Sequence, residues 1–477
     1  MKNKFLTEIS NNIGEGIAHD YEYLKDNVSG YKKRRVSGIL TPKTLAEVRG
    51  IINLAKTFPG VQLHPVSVGY NWGLGSKEDI AEGSYLLELK RLNNIQKMDL
   101  TEGWAIIEPG VTQADLSQKL RGSNRFINIT ASSSHSSFLG NAMDRGVGLR
   151  HQRTEDLVGL EVLLPDGKLI RVGWWPTDKP TPIYPHGIGP SLVQFFTQSS
   201  FGIVTAGVIR LHQRAEFTRV LRFTFQRDNL SQAILLLQKW VANKINSGVL
   251  KIYDTMANQT YGGKNNTYTV HMCIDGLKEH VNITTNFIIK ECTHSNIFND
   301  VEYFDDKNNN DEKKDIIAKL VNAAHVGETL YNDELLAQTL GESHSNIDEH
   351  GKGWLFFLPL IPFTPQALTQ AYAIIDDIKN KTGITCGATI NSLNEQIIDL
   401  VVSICFDKNS DEKDRAFHAL DLLHQQFNDC GFIPYRLDID HAHWARKITP
   451  NESEYNFIKE LKLYLDSNNL ISNDRYL

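Results

Sequence analysis

A glycine-rich decapeptide, SVGYNWGLGS from Ser67 to Ser76, is the first segment whose residue types indicate chemistry. Its glycines at positions 69, 73 and 75 follow a predicted strand. Glycine allows the main chain to approach a ligand closely, so such a loop can turn backbone N–H groups toward a pyrophosphate. The segment has neither the GxGxxG pattern of a dinucleotide-binding βαβ unit nor the GKS or GKT of a P-loop. Taken alone, it is explained equally well as an ordinary glycine-rich turn.

A serine-rich segment, TASSSHSSFLGNAMDRGVG from Thr130 to Gly148, is a second candidate anion site. Small hydroxyl residues and exposed amides are suited to holding phosphate oxygens. A flexible surface linker is the alternative, because serine is common in linkers. The run continues into Gly140, Gly146 and Gly148 with apolar residues between them, an order that linkers do not usually have. The pattern therefore favours a second anion cradle.

Hydrophobic periodicity predicts the elements that would position these two segments. Residues 41–58 begin with Thr and Pro and have apolar residues at helical spacing, which predicts a helix. Apolar or alternating runs predict strands within 61–68, 85–92, 103–111 and 202–212. Residues 157–173 are predicted to be a hairpin with Pro-Asp-Gly at its turn. Residues 176–190, which are rich in proline and glycine, are predicted to be a long surface loop.

The pattern changes near His212. The following residues alternate long helical patterns with strands, which predicts an α+β domain. Helices are predicted at 230–245, 368–380 and 416–427, and strands at 271–277 and 397–406. The charged run 305–314 is predicted to be an exposed loop, and the chain ends in a predicted helix at 457–466.

The composition excludes several classes of function. The chain has 477 residues, of which 41% are hydrophobic, and a net charge of −6, so nothing indicates nucleic-acid binding. No run approaches the ~18 apolar residues of a membrane span, and the N-terminus lacks the apolar core of a secretory signal. The five cysteines form no CxxC pair, which argues against disulfides and a structural zinc site. We therefore predict a cytoplasmic protein with no metal site and no nucleic-acid or membrane partner.

Several motifs occur together in a familiar order. The chain resembles the vanillyl-alcohol oxidase/p-cresol methylhydroxylase (PCMH) flavoproteins from about residue 35 to its end, most densely between Ser67 and Leu211. The match is thin in the middle of the chain, where WLFFLPLIP and VVSICFDKN are the best pieces. The motifs that carry the resemblance are SVGYNWGLG, IIEPGVTQADL, FLGNAMDRGVG, LEVLLPDGKLIRVG, YPHGIGPSLVQFFTQSSFGIVT and the dipeptide Tyr435-Arg436.

The resemblance implies an α+β fold and FAD as the cofactor. A PCMH-type FAD-binding domain would comprise residues 1–212 and 430–477, and a cap domain, an antiparallel sheet flanked by helices, would comprise 213–429. The glycine-rich and serine-rich segments would hold the pyrophosphate, 109–111 would pass the adenosine, and 203–204 would meet the adenine. The cofactor-binding residues implied in this way are Ser67, Val68, Gly69, Tyr70, Asn71, Trp72, Gly73, Leu74, Pro109, Gly110, Val111, Ser132, Ser133, His135, Ser136, Gly140, Asn141, Ile203, Val204 and Arg436.

The residues that attach FAD covalently in some relatives have no counterpart here. The position of the attaching cap-sheet histidine lies near Leu400, and that of the attaching cysteine lies near Ile129. A third attachment point, a histidine in the glycine-rich loop, is replaced by the tripeptide at 70–72. We therefore predict noncovalently bound FAD, with His135 expected to hydrogen-bond the cofactor or the loop.

Half of the residues that bind a phenolate in the phenol-oxidising relatives are missing. Tyr435 and Arg436 match their tyrosine–arginine pair. Leu74 and Leu149 stand at two other tyrosine positions, and Ser132 stands near the position of an aspartate beside the flavin. A buried phenolate would lack hydrogen bonds beside leucines. A simple 4-hydroxybenzyl alcohol is therefore not the expected substrate.

The C-terminal run that follows Tyr435 carries further candidates. Arginine near the flavin would stabilise the anionic reduced ring, and the tyrosine could orient the substrate. His441 or Asp440 could act as a general base. An edge strand with alternating exposed residues is the alternative for this run, and the HAH triplet is too sparse for a metal site. The candidate catalytic residues are Tyr435, Arg436, His441 and Ser132.

The function implied is that of an FAD-dependent oxidoreductase. A small organic substrate would pass a hydride to flavin N5, and O2 or another acceptor would reoxidise the flavin. A specialised biosynthetic oxidase acting on an amine, a heterocycle or a ring-closing precursor is an alternative, favoured by the missing phenolate partners. A flavin-binding scaffold without turnover is a third, against which the retained Tyr435-Arg436 pair argues. The resemblance makes a homodimer the expected assembly.

Overall fold

The structure is a computed structural model that describes residues 3–262, 267–305, 315–448, 452–473 and 475–477. Most of the predicted loop at 305–314 lies outside the described residues, whereas 176–190 is described and contains no helix or strand. Among the described residues, no helix combines the length and the apolar character needed to cross a membrane.

The N-terminal region forms a four-stranded sheet packed against two helices. The predicted helix at 41–58 is confirmed at its centre, and it begins after Thr44 because this side chain accepts a hydrogen bond from the N–H of Glu47. The sheet order is β1-β2-β4-β3, with β2 and β3 parallel to β4. The elements are α1 (Lys4–Asn12), β1 (Ala18–His19), β2 (Gly38–Leu40), α2 (Leu45–Ala55), β3 (Leu63–Val66) and β4 (Tyr85–Glu88).

A second sheet, five-stranded and antiparallel, follows in the order β5-β6-β10-β8-β9. Its β8–β9 pair is the predicted hairpin. Two short strands, β7 and β11, pair separately. The elements are β5 (Ile95–Asp99), β6 (Trp104–Ile107), α3 (Gln113–Leu120), β7 (Arg125–Phe126), α4 (Phe138–Met143), β8 (Leu157–Leu163), β9 (Leu169–Gly173), β10 (Ile203–Arg210) and β11 (His212–Gln213).

The middle of the chain forms a larger antiparallel sheet, the cap sheet, in the order β15-β12-β14-β13-β18-β19-β17-β20, with β16 also paired to β19. Its strands are β12 (Phe217–Phe225), β13 (Lys251–Tyr253), β14 (Tyr268–Gly276), β15 (Asn299–Phe304), β16 (Gly353–Phe357), β17 (Pro359–Pro362), β18 (Gly387–Ser392), β19 (Ile397–Phe406) and β20 (Ile433–Pro434). The helices of this region are α5 (Leu230–Ala242), α6 (Thr255–Thr260), α7 (Lys278–Ser295), α8 (Ile316–His325), α9 (Asn332–Leu340), α10 (Ile347–His350), α11 (Pro365–Thr382) and α12 (Glu412–Asp429).

The two faces of the cap sheet differ in character because side chains alternate along a strand. Ile252, Ile390 and Leu400 point into a large apolar core shared with α5, α11 and α12. Their neighbours Lys251 and Asp399 point to the opposite face, which lines a cavity. The sheet therefore supports a core on one side and a site on the other.

The C-terminal segment returns to the N-terminal sheet. After β20 the chain is not a strand, so the alternative of an edge strand over 435–443 is wrong; Asp440 instead pairs with Arg34 at 2.7 Å. The helices α13 (Ala445–Ile448) and α14 (Glu452–Leu465) follow. The N–H of Leu63 on β3 donates to the carbonyl of Leu470 at 2.7 Å. The C-terminal segment thus packs against the N-terminal sheet.

Candidate active site

A cavity of about 470 Å³ lies where both N-terminal motifs, the cap sheet and the C-terminal segment meet. This volume is within the range of about 300–1,000 Å³ that is typical of ligand and cofactor pockets. The lining residues come from 64–80, from 130–147, from 196–204, from the polar face of the cap sheet and from 435–476. Segments that are far apart in the sequence therefore share one binding space.

The glycine-rich loop contributes bare backbone to this space. Gly69 and Gly73 have φ angles of 80° and 79°, which strongly favour glycine. A Cβ at Gly73 would lie 2.2 Å from the ring of Phe356 on β16, so the loop meets the cap with no room for a side chain. Within the described ranges, the backbone N–H groups of residues 68–73 donate to no protein acceptor. Consecutive donors of this kind suit an anion.

The serine-rich segment is fixed by contacts from the cap. Asn332, at the start of α9, donates from Nδ2 to the carbonyl oxygens of Thr130 at 2.8 Å and Ser132 at 2.5 Å. The hydroxyl of Ser133 donates to the carboxylate of Asp333 at 2.6 Å. These bonds hold the segment at the boundary between the two N-terminal sheets and the cap.

His135 also contacts the cap. Its ring stacks on that of His344 with centroids 3.9 Å apart, and its Nε2 lies 3.9 Å from the carboxylate of Asp333. Neither His135 nor Ser133 lines the cavity. These contacts indicate that the two residues join the serine-rich segment to the cap.

Three buried polar atoms show that the cavity fits a polar cofactor. Among the described residues, Oγ of Ser136, Oδ1 of Asn141 and Oγ of Ser199 are buried and have no hydrogen-bond partner in the protein. All three residues line the cavity. An unpaired buried polar atom costs on the order of 1–3 kcal/mol. A ligand with many donors and acceptors, such as the ribityl and diphosphate part of FAD, would satisfy them.

Most of the predicted cofactor residues are brought together at this cavity. Those that line it are Ser67, Val68, Gly69, Tyr70, Asn71, Trp72, Leu74, Pro109, Ser132, Ser136, Gly140, Asn141, Ile203, Val204 and Arg436. Those outside the lining are Gly73, Gly110, Val111, Ser133 and His135.

Gly110 shapes the cavity without lining it. Its N–H donates to the carbonyl of Leu92 at 2.7 Å, and a Cβ there would lie 2.2 Å from the carbonyl oxygen of Lys90. The neighbouring Pro109 does line the cavity, and its carbonyl accepts a hydrogen bond from Ser137 at 2.6 Å. Gly110 therefore packs closely on the backbone of Lys90 and Leu92, while the adjacent Pro109 links this turn to the serine-rich segment.

Gly110→Ala is expected to destabilise the protein by about 1–3 kcal/mol or more, because its Cβ would overlap backbone that cannot rotate away. The melting temperatures of the wild-type protein and Gly110→Ala, obtained by thermal unfolding, measure this destabilisation. Gly50→Ala on α2 is the matched control, since its Cβ would lie an ordinary 3.4 Å from Ile13. Equal melting temperatures for the two variants would contradict the expectation.

A buried ion cluster forms the C-terminal wall of the cavity. Asp144 accepts hydrogen bonds from Nε of Arg436 at 2.9 Å, from Nη2 of Arg475 at 2.9 Å and from the hydroxyl of Tyr476 at 2.5 Å. Arg436 also donates to Oδ1 of Asn71 in the glycine-rich loop at 2.8 Å. Burial alone would raise the pKa of Asp144, but the two arginines outweigh it and lower the pKa to about 2. Two arginines and one carboxylate leave a net charge of +1.

Sequence reasoning found Arg436 and its partner Asn71 but missed the other members of this cluster, which are Asp144, Arg475 and Tyr476. Asp144 lies inside the FLGNAMDRGVG motif, so its position was an available signal. Arg475 and Tyr476 lie in no recognised motif, so no local sequence signal indicated that their side chains reach the cavity. Both line the cavity.

The cap sheet adds a polar row that the sequence did not reveal. Lys251 on β13, Asn391 on β18 and Asp399 on β19 lie side by side in register and line the cavity. Nζ of Lys251 donates to Oδ1 of Asn391 at 2.5 Å, and Nδ2 of Asn391 donates to Oδ2 of Asp399 at 3.2 Å. Burial lowers the pKa of Lys251 to about 8 and raises that of Asp399 to about 6. The alternation of side chains between the two faces of β19 was the sequence signal that could have identified Asp399 as a residue of the cavity face.

The positions that depart from the phenol-oxidising relatives are also placed. Leu74 and Ser132 line the cavity, whereas Leu149 is buried outside the lining, with its backbone bonded to Ile129 and Val249. Tyr435 lines the cavity, and burial raises its pKa well above 10, so its hydroxyl remains protonated.

His441 lies outside the cavity lining. Its Nδ1 is 2.9 Å from Asp438, its Nε2 is 3.1 Å from Asp421, and its ring stacks on His424 at 3.8 Å. A general base must reach the substrate proton within hydrogen-bond distance. Because both ring nitrogens of His441 face carboxylates away from the cavity, the geometry lends the predicted base role no support.

Comparisons with known proteins identify a matching domain and several relatives. A family model described as FAD binding domain matches residues 36–173. The chain is 35% identical over 206 residues to 1'-carboxy-chondrochloren decarboxylase of Chondromyces crocatus. The aligned residues are 42% of this chain and 38% of that protein. The chain is also 31% identical over 175 residues to the 4-cresol dehydrogenase (hydroxylating) flavoprotein subunit of Pseudomonas putida. The aligned residues are 35% of this chain and 33% of that subunit. These matches cover well under two thirds of either relative.

Two solved structures share the fold over nearly the whole chain. The crystal structure of p-cresol methylhydroxylase with substrate bound has a TM-score of 0.85 at 18% identity and covers 98% of this chain and 95% of that one. The 4-ethylphenol oxidase from Gulosibacter chungangensis, in its isoeugenol complex, has a TM-score of 0.85 at 19% identity with the same coverage, 98% and 95%. The predicted α+β class and PCMH-type fold are confirmed.

The predicted FAD cofactor is confirmed by the matched domain, which contains both the glycine-rich loop and the serine-rich segment. Relatives named as flavoprotein or FAD-linked oxidoreductase support the FAD-dependent oxidoreductase family. The domain limits, the roles of single residues and the mode of FAD attachment stay predictions.

Proposed function

We propose that this protein, a flavoprotein with the FAD-binding domain and fold of p-cresol methylhydroxylase, oxidises a small organic substrate by hydride transfer to FAD. The observation that carries this proposal is the shared cavity. There the two FAD-binding motifs meet the Tyr435-Arg436 pair and the polar face of the cap sheet. Pockets between domains commonly bind ligands in this way.

Each wall of the cavity has a separate task. FAD, when bound, supplies the redox chemistry by accepting a hydride at N5. The 67–74 loop, Ser136 and Asn141 would hold its polar part, and 203–204 would contact the adenine. Arg436, together with Arg475, gives the ion cluster around Asp144 a net positive charge, which would favour negative charge on the reduced ring. The protonated hydroxyl of Tyr435 forms a hydrogen bond with the carboxyl group of Asp399, and its ring would orient the substrate beside that group.

FAD is proposed to bind without a covalent bond. Leu400, near the attachment position of some relatives, points into the apolar core. Purified protein is expected to be yellow, and acid precipitation is expected to leave the flavin in the supernatant. Colour retained in the washed precipitate would contradict noncovalent binding. A colourless protein that takes up no added FAD would overturn the whole proposal.

Anaerobic mixing with a panel of phenols, amines, hydroxy acids and sugars tests the activity. A true substrate is expected to bleach the flavin absorbance without any added reductant. Bleaching by dithionite alone would instead support the flavin-binding scaffold without turnover.

A specialised biosynthetic oxidase is a second candidate, and two observations favour it. Leu74 replaces a phenolate partner in the cavity lining. The relative that is 35% identical is named 1'-carboxy-chondrochloren decarboxylase, a name that includes no simple phenol. O2 or another acceptor as the oxidant, a homodimeric assembly and a cytoplasmic location complete the proposal.

A further inference from the structure

A row of polar residues crosses the cap sheet on its cavity side. Register places Arg222 opposite His271, His271 opposite Lys251, Lys251 opposite Asn391, and Asn391 opposite Asp399. All five side chains are at least nine-tenths buried. Such a row in the middle of an apolar sheet is costly unless its charges are paired.

The charge at one end of this row is paired within the protein. Nη2 of Arg222 donates to the carboxylate of Asp315 at 2.6 Å, and Nη1 lies 3.4 Å from Glu302. His271 is neutral, because burial lowers its pKa well below 6.5 and both Arg222 and Lys251 lower it further. Neither residue therefore neutralises the next cation in the row.

Lys251 is the exception. Its side chain is only 7% exposed, and its hydrogen-bond partner is the neutral amide of Asn391 at 2.5 Å. Among the described residues, no carboxylate lies within 4.0 Å of its Nζ. The ring of Tyr253 is 5.6 Å away and offers only a weak cation–π contact. Asp399, on the far side of Asn391, favours the charged form of Lys251, but no direct ion pair joins the two side chains. An ammonium group has three donors, so Lys251 has further donors for the anionic group of a ligand.

The surroundings of Lys251 suit the carbon skeleton of such a ligand. Aromatic and aliphatic residues line the same cavity. They would pack against an apolar body while one end of it meets the ammonium group. The residues are Tyr253, Tyr261, Leu335, Leu336, Trp354 and Phe356.

We propose that Lys251 binds the carboxylate of an organic-acid substrate at the cap side of the cavity, with Asn391 orienting its ammonium group. This inference rests on the proposed function, because it names the substrate class for the same site. Lys251 is a specificity residue in this role, and it leaves the redox chemistry to FAD.

Asp399 makes the binding of a carboxylate depend on pH. Lys251, Asn391, Tyr435 and Arg436 face its carboxyl group. An ionised Asp399 repels a second carboxylate, so affinity is expected to rise as pH falls through about 6, where burial has placed its pKa. Above about pH 8 Lys251 loses its proton, with His271, Tyr253 and Asp399 as its neighbours, and affinity falls again.

Titration of the FAD-loaded protein with benzoate, followed by the change in flavin absorbance, tests the proposal. Benzoate is expected to bind about 10- to 100-fold more tightly than neutral benzamide, as a hydrogen-bonded charge pair predicts. Lys251→Met is expected to remove this preference, and Lys251→Arg is expected to keep it. Asp399→Asn is expected to strengthen benzoate binding at pH 7.5 and to remove the step near pH 6.

The flavin spectrum of each variant separates this proposal from the proposed function. Loss of FAD from the wild-type protein would count against the proposed function itself. Bound FAD with equal affinity for benzoate and benzamide, or with an unchanged preference in Lys251→Met, would overturn the role of Lys251 alone.

Discussion

Replacing Arg436 by alanine is expected to slow reduction of the flavin by about 10²-fold or more, the usual effect of removing a positioned electrostatic group. Arg436 donates to Asp144 and to Asn71, so it joins the serine-rich segment to the glycine-rich loop at the cavity wall. Without it, one arginine and one carboxylate remain, and the net positive charge that favours the reduced ring is lost.

The rate of anaerobic bleaching with a substrate from the panel measures this effect. Affinity for sulfite, which adds to oxidised flavin and leaves negative charge on the ring, gives a second reading that needs no substrate. Arg34→Ala is the matched control, because the Arg34 side chain is 15% exposed against 14% for Arg436 and pairs with Asp440, and neither Arg34 nor Asp440 lines the cavity. Similar rates and sulfite affinities in both variants would mean that Arg436 does not act on the flavin.

Asp438→Ala is expected to lower the free energy of unfolding by about 3–5 kcal/mol, the range for removing one partner of a buried charge pair. Asp438 is 1% exposed and bonds to His441 at 2.9 Å and to His424 at 3.2 Å. His424 belongs to α12 of the cap, so the carboxylate ties the segment that follows Tyr435 to the cap helix.

Urea unfolding measures the loss, and Asp440→Ala is the control two residues away. The side chain of Asp440 is 38% exposed and pairs with Arg34, so its removal is expected to cost about 1 kcal/mol or less. Equal losses in the two variants would contradict a special role for the buried carboxylate.

The advantage of the wild-type protein over Asp438→Ala is expected to depend on pH. Burial would raise the pKa of Asp438, but hydrogen bonds with His424 and His441 lower it far below 3.8, so its stabilisation is lost as pH falls below about 4. Burial would lower the pKa of His441, but Asp438 raises it above 6.5. The stabilisation that protonated His441 contributes is therefore lost as pH rises beyond 6.5. The difference in stability is therefore expected to be largest between about pH 4 and 6.5.

Elements with a clear local period were predictable. The predicted strand at 397–406 matches β19 at both ends, and the hairpin at 157–173 matches β8 and β9. The alternation of Leu437 and Ile439 with Asp438 misled, because Asp438 is buried by histidines from a helix and a turn rather than exposed on an edge strand.

The sequence by itself indicated the cofactor, because several motifs in one order resemble a flavoprotein family, although the glycine-rich loop taken alone is explained equally well as an ordinary turn. A pyrophosphate must come close to backbone N–H groups, which closely spaced glycines and hydroxyl residues allow. Such residues lie within short segments, so the sequence shows them directly. The tertiary structure decided which charges face the cavity. Lys251 and Asn391 are 140 residues apart and meet only because β13 pairs with β18. Strand pairing between distant segments depends on how the whole sheet packs. The local hydrophobic periodicity of each segment therefore does not predict which strands pair.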